Sequence, residues 1–209
     1  MTAPLLARPR SVASGRTRAL CRAMLSCALV VLSACNTLPP QVDSELMPVE
    51  RPHIERFTLE GRFSASDGEQ AANGPLEWQH SPERQEWLLL TPLGQIAARL
   101  SASAQGVTLQ TGDGRLHQAE HIDPLIAELL GVPAPVDGLS HWVQASVRSG
   151  ARVLALDPVG RPGRVTDAGW IIDYPSYADD SPQALPRRID AQWGNARIRL
   201  IIDAWTPAQ

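Results

Sequence analysis

The feature that most limits what this chain can fold into is a period of two. In the stretch Phe57 to Phe63, the residues Phe57, Leu59, Gly61 and Phe63 face one way, and Thr58, Glu60 and Arg62 face the other. Such alternation belongs to a β-strand with one face in a core and one in water. The pattern recurs along the chain. Leu76 and Trp78 alternate with Glu77 and Gln79, and Ile96, Ala98 and Leu100 oppose Ala97 and Arg99. Val107 and Leu109 lead into a turn at Gly112-Asp113-Gly114 and a strand through Leu116. Trp170, Ile172 and Tyr174 share a face, as do Ile189 and Ala191, and Ile198, Leu200 and Ile202 oppose Arg197, Arg199 and Asp203. Gly, Pro, Asn and Asp separate these segments at hairpin spacing, which predicts an antiparallel sheet with a single apolar face.

Two stretches switch to helical spacing. Asp123 to Leu130 offers an aspartate N-cap, proline at the first helical position and Gly131 just past the end. Asp137 to about Val147 carries an apolar stripe of Leu139, Trp142 and Val143, and Pro133 and Pro135 separate the two helices. A third short helix is expected near Pro52 to Phe57. A sheet-on-sheet sandwich would need a second layer of equal size, and a barrel filled by its own side chains would need no helices. The expected fold is therefore mainly β: an unclosed antiparallel β-barrel with a lid of two or three short α-helices over a hydrophobic cavity. The expected lining comes from Leu59, Phe63 and Trp78, from Leu88, Leu90, Ile96 and Leu100, from Leu129 and Trp142, and from Trp170, Ile172 and Leu200. An interior found solid would exclude this reading.

The first residues state the compartment. Arg8, Arg10, Arg16, Arg18 and Arg22 stand without an acidic neighbour, and an apolar run from Ala23 to Ala34 follows. A basic segment, a short apolar segment and small residues before a cleavage point make a secretory signal. At twelve residues the run is too short for a stable membrane-spanning helix. Leu32-Ser33-Ala34-Cys35 matches a bacterial lipobox, whose cysteine becomes residue one and carries the lipid. Residues 1–34 are thus expected to be removed, 35–52 to form a flexible lipid tether, and 53–209 to form a single domain. Asn36 in second place favours the outer membrane over retention at the inner one. Cys21 and Cys27 leave with the signal, so no disulfide supports the mature chain. Losing the five arginines leaves fourteen basic against twenty-two acidic residues, a net charge of −8. With no lysine and no basic cluster, nucleic acid is not an expected partner, and acyl chains rather than arginines must hold the membrane.

Catalytic motifs do not emerge. Ser140 in Gly138-Leu139-Ser140-His141-Trp142 lacks the second glycine of a nucleophile elbow. No phosphate-binding glycine loop or dinucleotide fingerprint is present, so no cofactor is expected. His117, Glu120 and His121 could in principle hold a metal, but strand end and loop do not secure the spacing, and solvated histidines are the expectation. His53, His80 and His141 read as isolated surface residues. The six tryptophans, Trp193 among them, read as core and cavity wall.

A set of fragments in fixed order resembles the LolB family of outer-membrane lipoprotein receptors. They are Leu59–Phe63, Leu76–Gln79, Leu88–Gly94, Gly131–Val143, Gly169–Tyr174, Ala184–Ile189 and Ile198–Trp205, and they span most of residues 55–205. The resemblance implies an open barrel with a helical lid that accepts lipoproteins from a soluble LolA-type periplasmic carrier. It implies that their acyl chains are sheltered in the cavity and placed in the inner leaflet of the outer membrane without nucleotide hydrolysis, by a protein expected to be monomeric. It also gives a meaning to Thr91-Pro92-Leu93-Gly94, where a leucine stands at a turn tip that water would normally claim. Proline at i+1 and glycine at i+3 suit a type I turn with Leu93 pointing outward. In the family the exposed leucine of this loop is needed for insertion into the membrane, so the resemblance makes Pro92, Leu93 and Gly94 the membrane-insertion loop here. Two alternatives stay open on the residues alone: the freely diffusing carrier, disfavoured by Cys35, and a structural lipoprotein whose apolar face is a protein interface.

Overall fold

The computed structural model describes residues 47–207. Cys35, the signal segment and residues 35–46 of the expected tether lie outside that range. The strands are β1 (Phe57–Ser66), β2 (Ala71–His80), β3 (Arg84–Leu90), β4 (Ile96–Ser103), β5 (Gly106–Thr111) and β6 (Leu116–Ala119). Two helices follow, α1 (Ile122–Leu130) and α2 (Val136–Trp142). Then come β7 (Arg152–Leu156), β8 (Pro162–Asp167), β9 (Trp170–Tyr177), β10 (Pro186–Trp193) and β11 (Ala196–Pro207).

All eleven strands form one sheet in the order β6-β5-β4-β3-β2-β1-β11-β10-β9-β8-β7. The pairing is antiparallel throughout, and β1 against β11 joins the two halves of the chain. β6 and β7 do not pair, so the barrel is unclosed, as the strand pattern predicts. Its curvature has local sources. Register shifts interrupt the ladder at Glu60/Gly61, at Leu89/Leu90 and along β7 and β10, and such bulges bend and twist a strand. Gly61 is the residue its bulge requires, because an added Cβ would run into the backbone carbonyl of Ile201.

Antiparallel connection by hairpins gives the sheet two rims. The β1–β2, β3–β4, β5–β6, β8–β9 and β10–β11 turns share one rim. The β2–β3, β4–β5, β7–β8 and β9–β10 connections lie at the other. Both helices cover the concave face, where Leu125, Ile126, Leu130, Leu139 and Trp142 join Phe57, Leu59, Trp78, Leu100 and Ile172 in one apolar cluster. No helix among the described residues is long and apolar enough to cross a membrane.

Several details differ from the sequence reading. Residues 51–54 form neither helix nor strand, and the chain enters β1 at Phe57. Part of the expected tether is bonded to the body. The Val49 N–H donates to the Gly160 carbonyl at 2.9 Å, and Arg51 donates to the carbonyls of Pro182 (2.8 Å), Gln144 (3.3 Å) and Ala184. α1 begins at Ile122 with His121 in the cap position and no side-chain cap bond. Asp123 is instead used across the linker, its Oδ1 accepting the Val136 N–H at 3.0 Å at the start of α2. The residue after α1 is Gly131 as expected, left-handed at φ 72°. α2 ends at Trp142, short of Val147. β7 and β8 escape the alternation count because bulges break β7 and a Pro-Gly pair opens β8.

Candidate functional site

Between the sheet and the two helices lies a cavity of about 40 Å³ with no polar group on its wall. Phe63, Leu76, Trp78 and Trp87 bound it from β1 to β3, and Ile189, Ala191, Ile198 and Leu200 from β10 and β11. Leu130, Leu139, Trp142 and Val143 close it from the helical side. The volume admits roughly two or three water-sized bodies. No long acyl chain fits it in this state. The interior is therefore not solid, yet it is far more contracted than the cavity the alternation suggests.

Of the residues expected to line the cavity, Phe63, Trp78, Trp142 and Leu200 do so. Leu59, Leu100, Trp170 and Ile172 are buried in the apolar core but do not line this cavity. Leu88 and Leu90 are a correction: β3 turns Trp87 and Leu89 inward, leaving Leu88 and Leu90 half-buried on the outer face. The continuous run Trp87-Leu88-Leu89-Leu90 has no alternation to set its parity, so neighbours decide it. Trp78 opposite Trp87 on the adjoining strand was the available signal. Ile96 is 47 % exposed beside the β3–β4 turn, and on α1 the inward residue is Leu130, with Leu129 at the edge.

The lid is held unevenly. At the end of α2, the Trp142 indole N–H donates to Asp167 Oδ2 at 2.7 Å, and Arg148 Nε donates to the same oxygen at 2.8 Å. Asp167 is only 4 % exposed, so one buried carboxylate fixes the orientation of a cavity tryptophan. Gln144, also buried, receives the Ile54 N–H at 2.7 Å and donates to the carbonyls of Ile54 and Ser140. These bonds tie α2 to β8 and to the segment before β1. α1 rests on β4, β5 and β6 by apolar packing, with an exposed contact of 3.2 Å between His117 Nδ1 and Glu128 Oε1. His117 thus faces a helix carboxylate rather than His121.

His53, His80 and His141 are not isolated. The rings of His53 and His141 stack at 4.4 Å, and Nδ1 of each lies within hydrogen-bond reach of Ser146 Oγ, at 3.3 and 2.9 Å. His80 stacks on Phe57 at 4.9 Å. Burial lowers the pKa of all three below the ordinary imidazole value. Trp193, expected in the core, is 50 % exposed at the end of β10.

At the β3–β4 turn, Gly94 N–H donates to the Thr91 carbonyl and Thr91 N–H to the Gln95 carbonyl, each at 2.8 Å. Gly94 has φ +79°, the left-handed residue that follows a type I turn in a three-residue hairpin loop. Pro92 and Leu93 occupy the central positions, and Leu93 is 88 % exposed. Nothing folds it back onto the sheet.

A model of the family described as "Outer membrane lipoprotein LolB" matches residues 55–205. The Azoarcus outer-membrane lipoprotein LolB is 46 % identical over 184 residues, covering 88 % of this chain and 94 % of that protein. The protein of the same name from Thiobacillus denitrificans is 34 % identical, covering 85 % and 92 %. Among solved structures, a LolA superfamily protein of Nitrosomonas europaea matches with TM-score 0.44 at 9 % identity, covering 76 % of this chain and 89 % of that one.

Proposed function

The chain belongs to the LolB family of outer-membrane lipoproteins, and on that premise we propose that it receives lipoproteins from a LolA-type carrier and delivers them to the outer membrane. Their acyl chains occupy the space between sheet and helices during the transfer. The observation that carries this reading is the cavity wall, built from the central strands β3, β2, β1, β11 and β10 and from the helical side, with no polar surface turned into it. Such a wall offers dispersion contacts and no hydrogen-bond demand, so it takes hydrocarbon from any cargo alike.

Exposing an acyl chain costs about 0.8 kcal/mol per methylene, so the chains have to move from one apolar site to the next without meeting water. No nucleotide is consumed, and transfer runs downhill from carrier to receptor to bilayer. A difference of about 1.4 kcal/mol per step gives a tenfold bias. Cys35, acylated, holds the protein at the inner leaflet, and Leu93 enters that leaflet at delivery. The protein acts as a monomer and performs no chemical step.

The contracted state of the cavity favours a second reading, a structural lipoprotein whose interior is simply core. A transfer assay decides between them. Purified protein is mixed with a LolA-type carrier loaded with triacylated cargo, without nucleotide, and cargo is followed onto the receptor and then into liposomes. The receptor reading expects both movements, and expects unacylated cargo to stay behind. Failure of cargo to leave the carrier overturns it in favour of the structural one.

A further inference from the structure

A cavity of about 40 Å³ has to be widened and reached from somewhere before it can hold a chain. Three tryptophans mark the way. Trp142 stands in the cavity wall with its ring 5.6 Å from that of Trp170, and Trp170 lies 6.2 Å from Trp193. Trp142 and Trp170 are buried and Trp193 is half exposed, so the series runs from the cavity to the surface. Its outer end opens on a cleft of about 260 Å³. Pro133 and Pro135 of the inter-helix linker form one wall, and Ala168, Trp170 and Trp193 the other. Among the described residues Asp123 is the one charged side chain lining the cleft, and its Oδ1 is engaged by the Val136 N–H.

The two walls are unlike in their attachments. Trp193 lies against the β8–β9 turn, where Gly169 leaves room for the indole: an added Cβ would sit 3.4 Å from its Nε1. That wall belongs to the sheet. The linker wall leads directly into α1, the helix held mainly by apolar packing, while α2 on its other side is tied through Trp142 and Gln144. α1 gives Leu130 to the cavity wall and its linker gives Pro133 and Pro135 to the cleft, so displacing α1 with its linker, at the cost of the Asp123–Val136 bond, would widen both. The cleft also lies on the rim that carries Leu93, since the β3–β4, β8–β9 and β10–β11 turns share it.

We infer that this cleft is the mouth through which an acyl chain passes between the membrane-facing rim and the cavity, with Trp193 at its lip. The inference rests on the reading that the cavity takes acyl chains. Flat, rigid aromatic rings guide a flexible aliphatic tail with little ordering cost of their own and present it no polar obstacle. A residue at a mouth, unlike one in a binding site, changes how fast a ligand passes in both directions and leaves the affinity alone.

The test is stopped-flow binding of an anthroyloxy-labelled stearic acid to the full mature protein and its variants. Trp193→Glu is expected to slow association and dissociation alike, by roughly tenfold, with equilibrium affinity nearly unchanged. Trp193→Phe is expected to behave as wild type. Pro133→Trp, which fills the cleft from the opposite wall, should slow the same two rates. Unchanged rates in both Trp193→Glu and Pro133→Trp would overturn the mouth, as would faster dissociation with unaltered association. If the wild-type protein takes up no labelled stearate at all, the cavity reading fails and the mouth with it.

Discussion

A leucine held 88 % exposed at a turn tip gives up the roughly 1.5–3 kcal/mol that burying its side chain would return. The loop around it is closed by two backbone hydrogen bonds and a left-handed glycine. Because Leu93 makes no contact with the core, Leu93→Glu should shift stability by no more than about 0.5 kcal/mol in urea unfolding. It should leave uptake of acylated cargo from the carrier intact and stop delivery to liposomes, since a carboxylate will not enter hydrocarbon. Equal loss of uptake and delivery would show that Leu93 has no separate role at the exit. At this scale the sequence was readable where punctuation is strong: Pro92 and Gly94 announce the turn and its tip. It was unreadable in Trp87–Leu90, where four apolar residues in a row carry no parity, and only the strands on either side choose which pair turns inward.

Among the elements, the lid divides into a tied helix and a packed one. Asp167 is the tie that matters most, because it accepts from both the Trp142 indole and Arg148 while nearly out of water. Asp167→Ala leaves a buried indole N–H and a guanidinium without their partner and should cost about 3–5 kcal/mol. Asp167→Asn keeps an acceptor for the indole and should cost less; equilibrium unfolding of the two variants measures the difference, and equal losses would show that the indole bond contributes nothing. The segment before β1 is held to the end of α2 by the stacked His53 and His141 rings. Burial lowers both pKa values from the ordinary 6.5, with Glu55 opposing the shift at His53, and Arg148 reinforcing it and Asp167 opposing it at His141. A depressed imidazole pKa means the unfolded chain binds protons first as pH falls, so stability is present above about 6.5 and declines below it. Thermal midpoints taken from pH 7.5 to 5.5 should fall, and His141→Gln should flatten that slope. An unchanged slope would remove the histidine pair as its cause. Helix ends and edge strands were the least legible elements, for physical reasons: Asp123 has two possible amides to cap, and tertiary contact picks Val136. In β7, the bulge and the 43 % exposed Leu154 erase the alternation by which a strand is recognised.

For the molecule as a whole, an unclosed sheet is what separates a container from a core. A closed barrel would fix its radius by hydrogen bonds all the way round, whereas β6 and β7 leave the two ends of this sheet unpaired with each other. That openness was legible from alternation plus the short helices, because one apolar face and too little helix to cover it leave few other architectures. The contraction of the cavity was not, since packing density depends on how side chains from distant strands interlock, and no local pattern records it. The same separation of shell from anchor yields the last expectation. The described body runs from residue 47 with its own core and bonds Val49 and Arg51 to itself, so its fold should not depend on a lipid at Cys35. Cys35→Ala behind a cleavable signal should then give a protein that partitions into the aqueous phase in detergent separation and still accepts acylated cargo from the carrier. If the proposed lipid at Cys35 is what confines the wild type to one leaflet, delivery by this variant should become indiscriminate, reaching any bilayer Leu93 meets. An anchor-free protein that folds yet accepts no cargo would mean the lipid takes part in acceptance, and that the body alone is not the receptor.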